Sequence, residues 1–386
     1  MQNKSLDQKL ARILADPSCT DFILADAKDA DMAFGLAAPG RSPEHHADEA
    51  RFRTLDAYRQ LIRDVVRQGS IDIALMSASS NEILTIQERL FDNSPVTPAV
   101  RANDTTDIWL ATGTGRYTKQ PSQPFRTATI DHAMCGKVEC EPHERSLGAE
   151  LGLYSVTFNN DSELDRASLE AYKTFRIEAE QKGFRHFLEV FAPNACTCHC
   201  PEDIPRFVND SIVRALAGVT NRGRPLFLKI PYFGPAAMEV LAGYDRTLIV
   251  GILGGSAGTT FDAFHMLWEA KKHGARVALF GRKINNAEHQ LTFVSYLRAL
   301  ADDQMGPEEA VRAYHADLER LKIRPHRALE EDLKQTSAAM SYGAAGGPSR
   351  PARTLSRGTD QPDFSRMTSA EKVQWNLEKW RRILGS

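Results

Sequence analysis

Eight short apolar runs alternate with longer stretches of helical periodicity between Asp21 and Phe280, and this alternation restricts the chain to few folds. Branched and aromatic residues concentrate in Asp21 to Asp26, Ile71 to Ser77, Asp107 to Thr112, Gly152 to Phe158, His186 to Phe191, Leu226 to Ile230, Thr247 to Ile252 and Arg276 to Phe280. Strands that alternate with helical crossovers imply a parallel sheet, and eight repeats are the number that closes a barrel. The expected class is therefore α/β, a (β/α)8 TIM barrel over residues 1–330. The helix from Glu44 to Arg67 should carry Phe52, Leu55, Tyr58, Leu61, Ile62, Val65 and Val66 on one stripe. Ser162 to Lys182, Pro201 to Ala217, Pro235 to Leu241, Thr259 to His273 and Asn286 to Ala301 fill later crossovers. A leading helix, Leu6 to Leu14, is placed to plug the N-terminal mouth. The excursion from Gly113 to Leu151 fits the repeat poorly, so Arg126 to Asp131 competes with Asp107 to Thr112 for the third stave.

Beyond the barrel the composition changes. Ser337 to Arg353 is small and rich in Gly and Pro, which predicts a flexible linker over 331–362. The tail 363–386 regains helical periodicity with Val373, Trp375, Leu377, Trp380 and Ile383 among charges. Its tryptophans call for a surface on the barrel or on a neighbouring copy, which is compatible with a homo-oligomer. A formal net charge of -2 gives no footprint for nucleic acid or anionic lipid. No apolar run approaches the roughly 20 residues of a membrane span, and the first ten residues lack a signal-peptide core, so a cytoplasmic location is expected. The six cysteines, Cys19, Cys135, Cys140, Cys196, Cys198 and Cys200, do not space themselves as a disulfide framework and read as thiols.

Lys229 is the one ionisable residue in Pro225-Leu-Phe-Leu-Lys-Ile-Pro-Tyr232. A lysine becomes nucleophilic near neutral pH when burial or neighbouring cations disfavour its protonated form, and it can then condense with a ketone or aldehyde. The resulting iminium draws electrons from the adjacent carbons, so a carbon-carbon bond can break or form if a second group moves a proton. Downstream, Leu253-Gly-Gly-Ser-Ala-Gly258 and Phe280-Gly-Arg282 end two runs with turns suited to an anion, through close backbone approach and a forked guanidinium. In barrels the loops after the seventh and eighth strands are frequent phosphate sites. Gly254, Gly255, Ser256, Gly281 and Arg282 are the expected cradle.

The order and spacing of these segments, from about Asp21 to Arg298, resemble the class I (Schiff-base) aldolase superfamily, in particular its tagatose-bisphosphate aldolase-like branch. That resemblance implies Lys229 as the Schiff-base lysine on the sixth strand, Glu189 in Phe-Leu-Glu-Val-Phe191 as the acid-base residue on the fifth, and Asp26 in Ile-Leu-Ala-Asp-Ala-Lys28 as the aspartate closing the first. It further implies a metal-independent aldolase or lyase acting on a phosphorylated sugar or sugar-like ketone, with no cofactor. Lys28 is the competing amine, and His132 is a residue that could enter from the long excursion. The fourth strand departs from the pattern, because Leu153-Tyr-Ser-Val-Thr-Phe158 lacks the family's tyrosine or lysine there. Two rival readings stand: a metal-dependent aldolase or hydrolase using His132, Cys140, His143 and Glu144, and a non-catalytic sugar-phosphate-binding barrel with a partner-binding tail. The Cys196-Thr-Cys-His-Cys200 segment is spaced too tightly for a conventional zinc site.

Overall fold

The computed structural model describes residues 3–40, 52–109, 116–195, 203–255 and 258–336. Eight parallel strands form one sheet: β1 (Ile23–Lys28), β2 (Ile73–Met76), β3 (Thr97–Arg101), β4 (Leu151–Thr157), β5 (Arg185–Phe191), β6 (Leu228–Lys229), β7 (Gly251–Leu253) and β8 (Val277–Phe280). Each strand pairs with its sequence neighbours, and β1 pairs with β8. A parallel bridge between Ile230 and Ile252 joins β6 to β7 and completes the ring. The expected TIM barrel is observed.

One stave differs from expectation. The third strand is Thr97–Arg101, and neither Asp107 to Thr112 nor Arg126 to Asp131 takes its place. Asp104–Thr105 instead pairs antiparallel with Pro124–Phe125 in a small ribbon beyond the end of β3. Pro98 masked this strand, because proline lacks the N–H that a central strand normally donates. Pairing of β3 with β4 begins only at Ala99, which stands opposite Leu151, so Pro98 precedes that ladder.

Alternation along the strands sorts side chains to two faces. Ile23, Ala25, Ile73, Leu75, Ala99, Leu151, Leu153, Phe187, Phe227, Val277 and Leu279 form the inner cluster. Leu6 and Leu10 of the leading helix Ser5–Ala15 join it from the N-terminal end. That helix is tied down by Lys4, whose ammonium donates to the carbonyls of Phe91, Ser94 and Val96 at 2.7, 2.9 and 3.1 Å. The outer strand faces pack against the helices in a separate, larger cluster.

The crossover helices start and stop on ordinary chemistry. Ser162–Lys182 is capped by the Asp161 carboxylate, which accepts from the N–H groups of Glu163 and Leu164, and it ends at Gly183 in a left-handed conformation. Thr259 and Asp262 form a reciprocal capping box for Thr260–Lys272. The first crossover is Leu55–Gln68, with Tyr58, Ile62, Val65 and Val66 buried; part of the longer segment expected from Glu44 lies outside the described residues. Two further helices follow the eighth crossover, the first of them within the range expected for the barrel. Pro307–Arg320 buries Ala310, Val311, Tyr314, His315 and Leu318, and the short helix Leu329–Asp332 follows. Asp332 accepts from the Thr260 N–H and bonds the His315 ring at 2.9 Å, so residues assigned to the linker are docked. The predicted linker and tail from residue 337 onward lie outside the described residues.

Cys135 and Cys140 form a disulfide, which corrects the reading of both as thiols, whereas Cys19 is free. They lie five positions apart around Gly136, whose left-handed φ of 77° ends the helix Ile130–Cys135 and turns the chain back. Cys196, Cys198 and Cys200 lie outside the described residues. Among the described residues no helix is long and apolar enough to cross a membrane.

Candidate active site

Parallel register builds the site. Glu189 of β5 stands opposite Lys229 of β6, and Ser155 of β4 stands opposite Glu189, so three inward side chains share one level of the barrel. Directly beneath them lie Leu153, Phe187 and Phe227, the last two with stacked rings. Polar groups thus begin where the apolar filling ends, toward the C-terminal mouth.

Lys229 is almost fully buried, and its Nζ lies 2.6 Å from Oε1 of Glu189 as an ion pair. The other Glu189 oxygen accepts from the Ser155 hydroxyl at 2.7 Å and from the Arg101 guanidinium at 3.3 Å. Arg101 also donates to Ser155 Oγ at 3.0 Å and, through Nε, to Asp29 at 2.5 Å. Burial alone would raise the Asp29 carboxyl, but Arg101 and Lys229 outweigh it and hold the group below the ordinary carboxylate range. The two acids and two bases form one buried, mutually compensated cluster. Such compensation is required, because an isolated charge at this depth would be far too costly.

The cluster opens on a narrow cleft of about 30 Å³ that is continuous with solvent. Lys229, Asp29, Gly254, Gly255, Gly281 and Arg282 all line it. The lysine and both glycine turns predicted from sequence therefore meet in one place. Phe34 and Leu253 also line the cleft and belong to a small apolar cluster with Ala33, Ile108 and Phe191.

The turn residues have separate reasons to be glycine. A Cβ on Gly281 would stand 2.5 Å from the Ala27 carbonyl oxygen, and one on Gly254 would lie 2.2 Å from the Phe280 ring. Gly255 adopts a left-handed φ of 57°. The Gly254 N–H donates to the Leu279 carbonyl at 2.7 Å, so this amide belongs to the sheet and not to an anion. Arg282 lies over the Phe34 ring, 5.3 Å from its centroid, at the edge of the cleft. Ser256 lies outside the described residues.

Three predicted site residues are elsewhere. Asp26 and Lys28 have the wrong parity: Ile23 and Ala25 face the barrel interior, so residues 24, 26 and 28 face the helices. There the two side chains pair with each other at 2.6 Å, both buried, and neither lines the cleft. Burial, opposed by their mutual attraction, draws Asp26 upward and Lys28 downward from their usual ranges. His132 is exposed on the outer helix Ile130–Cys135, hydrogen-bonded through Nδ1 to Thr129 Oγ1 at 2.7 Å. Tyr154 likewise faces outward and packs on Tyr172 and Phe175.

Arg101, Asp29 and Ser155 were not found by sequence reasoning. Asp29 has the inward parity that Asp26 lacks, and strand-face counting extended past Lys28 would have found it. Arg101 ends the stave that was misplaced. The metal-dependent rival loses a proposed ligand, since the Cys140 sulfur is bonded to Cys135. Among the described residues no three His, Cys, Asp or Glu side chains cluster as a metal site.

No family model matches the chain, and no curated protein matches it. Solved structures do. The crystal structure of an archaeal fructose 1,6-bisphosphate aldolase aligns with a TM-score of 0.52 and 16% identity, over 77% of this chain and 99% of that one. A Schiff-base-forming fructose-1,6-bisphosphate aldolase, studied through its reaction intermediates, aligns with the same score and coverages at 17% identity. So does an archaeal fructose-1,6-bisphosphate aldolase with its catalytic lysine bound to the carbinolamine intermediate. At such identity the likeness establishes the barrel fold and nothing finer.

Proposed function

We propose that the protein is a class I aldolase or lyase that makes or breaks a carbon-carbon bond in a phosphorylated sugar or sugar-like ketone through a Schiff base on Lys229. The observation that carries this reading is the position of the Lys229 amine, in the same cleft as both glycine turns and within 2.6 Å of a buried carboxylate. An ammonium that passes its proton to Glu189 becomes a free amine and can add to a carbonyl carbon. Glu189 then returns the proton to the carbinolamine oxygen, and water leaves as the iminium forms. The iminium accepts the electron pair of the breaking bond, while a carboxylate removes the proton from the departing hydroxyl. Glu189 is the nearest carboxylate to the amine, and Asp29 lines the same cleft. Gly255, Gly281 and Arg282 hold the anionic end of the substrate, as the resemblance also implies.

The test is reductive trapping. The protein is incubated with a panel of phosphorylated ketoses and borohydride, and the modified peptide is mapped. A stable adduct on Lys229 with at least one member is the expected outcome, and failure of every member to modify that residue would refute the reading.

Two subsidiary results are expected at the anion end. Arg282→Gln should raise KM for a phosphorylated substrate about 10- to 100-fold, the equivalent of losing one charged hydrogen bond, with a smaller change in kcat. Steady-state kinetics would reveal a misassignment if kcat fell instead. Gly281→Ala should destabilise the protein by about 1–3 kcal/mol, because its methyl would overlap the Ala27 carbonyl. Thermal melting would show this as a lower Tm, together with weaker protection by inorganic phosphate.

A further inference from the structure

We infer that Arg101 is a positioning residue that lets Lys229 release its proton: as a permanent cation it keeps Asp29 and Glu189 compensated when the lysine is neutral. The inference rests on Lys229 being the Schiff-base amine, but the observation behind it is independent of that assignment. Arg101 is fully buried, and its guanidinium reaches three different partners, Asp29, Ser155 and Glu189.

With Lys229 protonated, Lys229 and Arg101 balance Asp29 and Glu189, and the cluster is neutral. In the unliganded protein, loss of the lysine proton to solvent leaves the cluster with one net negative charge, shared by two carboxylates that both still touch the Arg101 fork. Without Arg101 the same step would go from one uncompensated negative charge to two, at a depth where even one is strongly opposed. Lysine could not substitute fully, because an ammonium is a point donor and cannot span three acceptors as a planar fork does. Iminium formation restores the positive charge at position 229 and returns the cluster to neutrality. A cluster balanced in this way favours the covalent intermediate over the free amine.

Among the described residues, four charged side chains contact the Lys229 amine or share its cluster and cleft. Glu189 approaches from β5, Arg101 from β3, Asp29 from the turn after β1 and Arg282 from the turn after β8. The Asp26–Lys28 pair lies behind β1 on the helical side. The remaining lining residues from β7 and the first turn, Leu253, Phe34, Ala30 and the glycines, carry no charge.

The experiment measures the initial rate of reductive adduct formation between the full-length protein and dihydroxyacetone phosphate with cyanoborohydride, as a function of pH. Wild type, Arg101→Met, Arg101→Lys and Asp29→Asn are compared. The midpoint at which the amine becomes reactive should rise by about one pH unit or more in Arg101→Met. In Arg101→Lys it should lie between that value and wild type. Asp29→Asn removes a negative charge, so its midpoint should fall. A midpoint in Arg101→Met equal to wild type, with only a uniform loss of rate, would reduce Arg101 to a structural role and overturn the inference. If Arg101→Met does not fold, Asp29→Asn decides, and a midpoint that fails to move down overturns the charge balance. Absence of any Lys229 adduct in wild type at every pH would remove the Schiff-base reading itself, a distinguishable failure.

Discussion

Lys229→Ala is expected to abolish turnover and all borohydride-dependent gain in mass while the protein still melts cooperatively. The loss in kcat should be about 10⁴-fold or more, as is usual when a covalent nucleophile is removed and only binding remains. The fold should persist, because the Glu189 carboxylate keeps the Ser155 hydroxyl and the Arg101 guanidinium as partners after the ammonium is gone. Intact mass spectrometry of the trapped protein and a thermal melt together decide the matter. Residual trapping at another lysine in the variant would move the chemistry away from β6. Lys28 is a poor candidate for that role, since it is buried against Asp26 on the helical face of β1.

Glu189→Gln should separate the two halves of the reaction. The amide preserves shape and can still accept from Ser155, but it cannot take up a proton. Turnover should fall by about 10²- to 10⁴-fold, the usual contribution of a positioned acid-base group. Trapping should continue, at a reduced rate, because a carbonyl can still meet the lysine. Single-turnover kinetics beside the trapping assay would test this. Undiminished turnover would transfer proton movement to Asp29, the other carboxylate near the amine, which lines the cleft and is held in its ionised form by Arg101 and Lys229.

Much of the barrel was legible because alternation of apolar runs and amphipathic helices survives in the sequence. Ser162–Lys182 begins and ends where its cap residues predict, and seven staves coincide with apolar runs. The third was hidden by two features that normally argue against a buried strand, a proline and an arginine. Both are tolerated here for identifiable reasons: Pro98 precedes the ladder to β4, and Arg101 is compensated by two carboxylates, one from β5 and one from the turn after β1. Such partners cannot be read from local sequence, as they join the chain only across the barrel. The same limit explains the first strand. Asp26 and Asp29 are three residues apart and chemically alike, and only the face each occupies distinguishes them. Lys229 and Glu189 were legible because an ionisable residue within an apolar strand needs either a partner or a task. Each is the other's partner.

The helix Ser5–Ala15 has a consequence for traffic through the molecule. With Leu6 and Leu10 wedged into one end and the staves filled with side chains above them, the barrel offers no through passage. Reactant must arrive, and product depart, by a shared doorway on the opposite side. A bound product would therefore have to clear that entrance before the next reactant could enter.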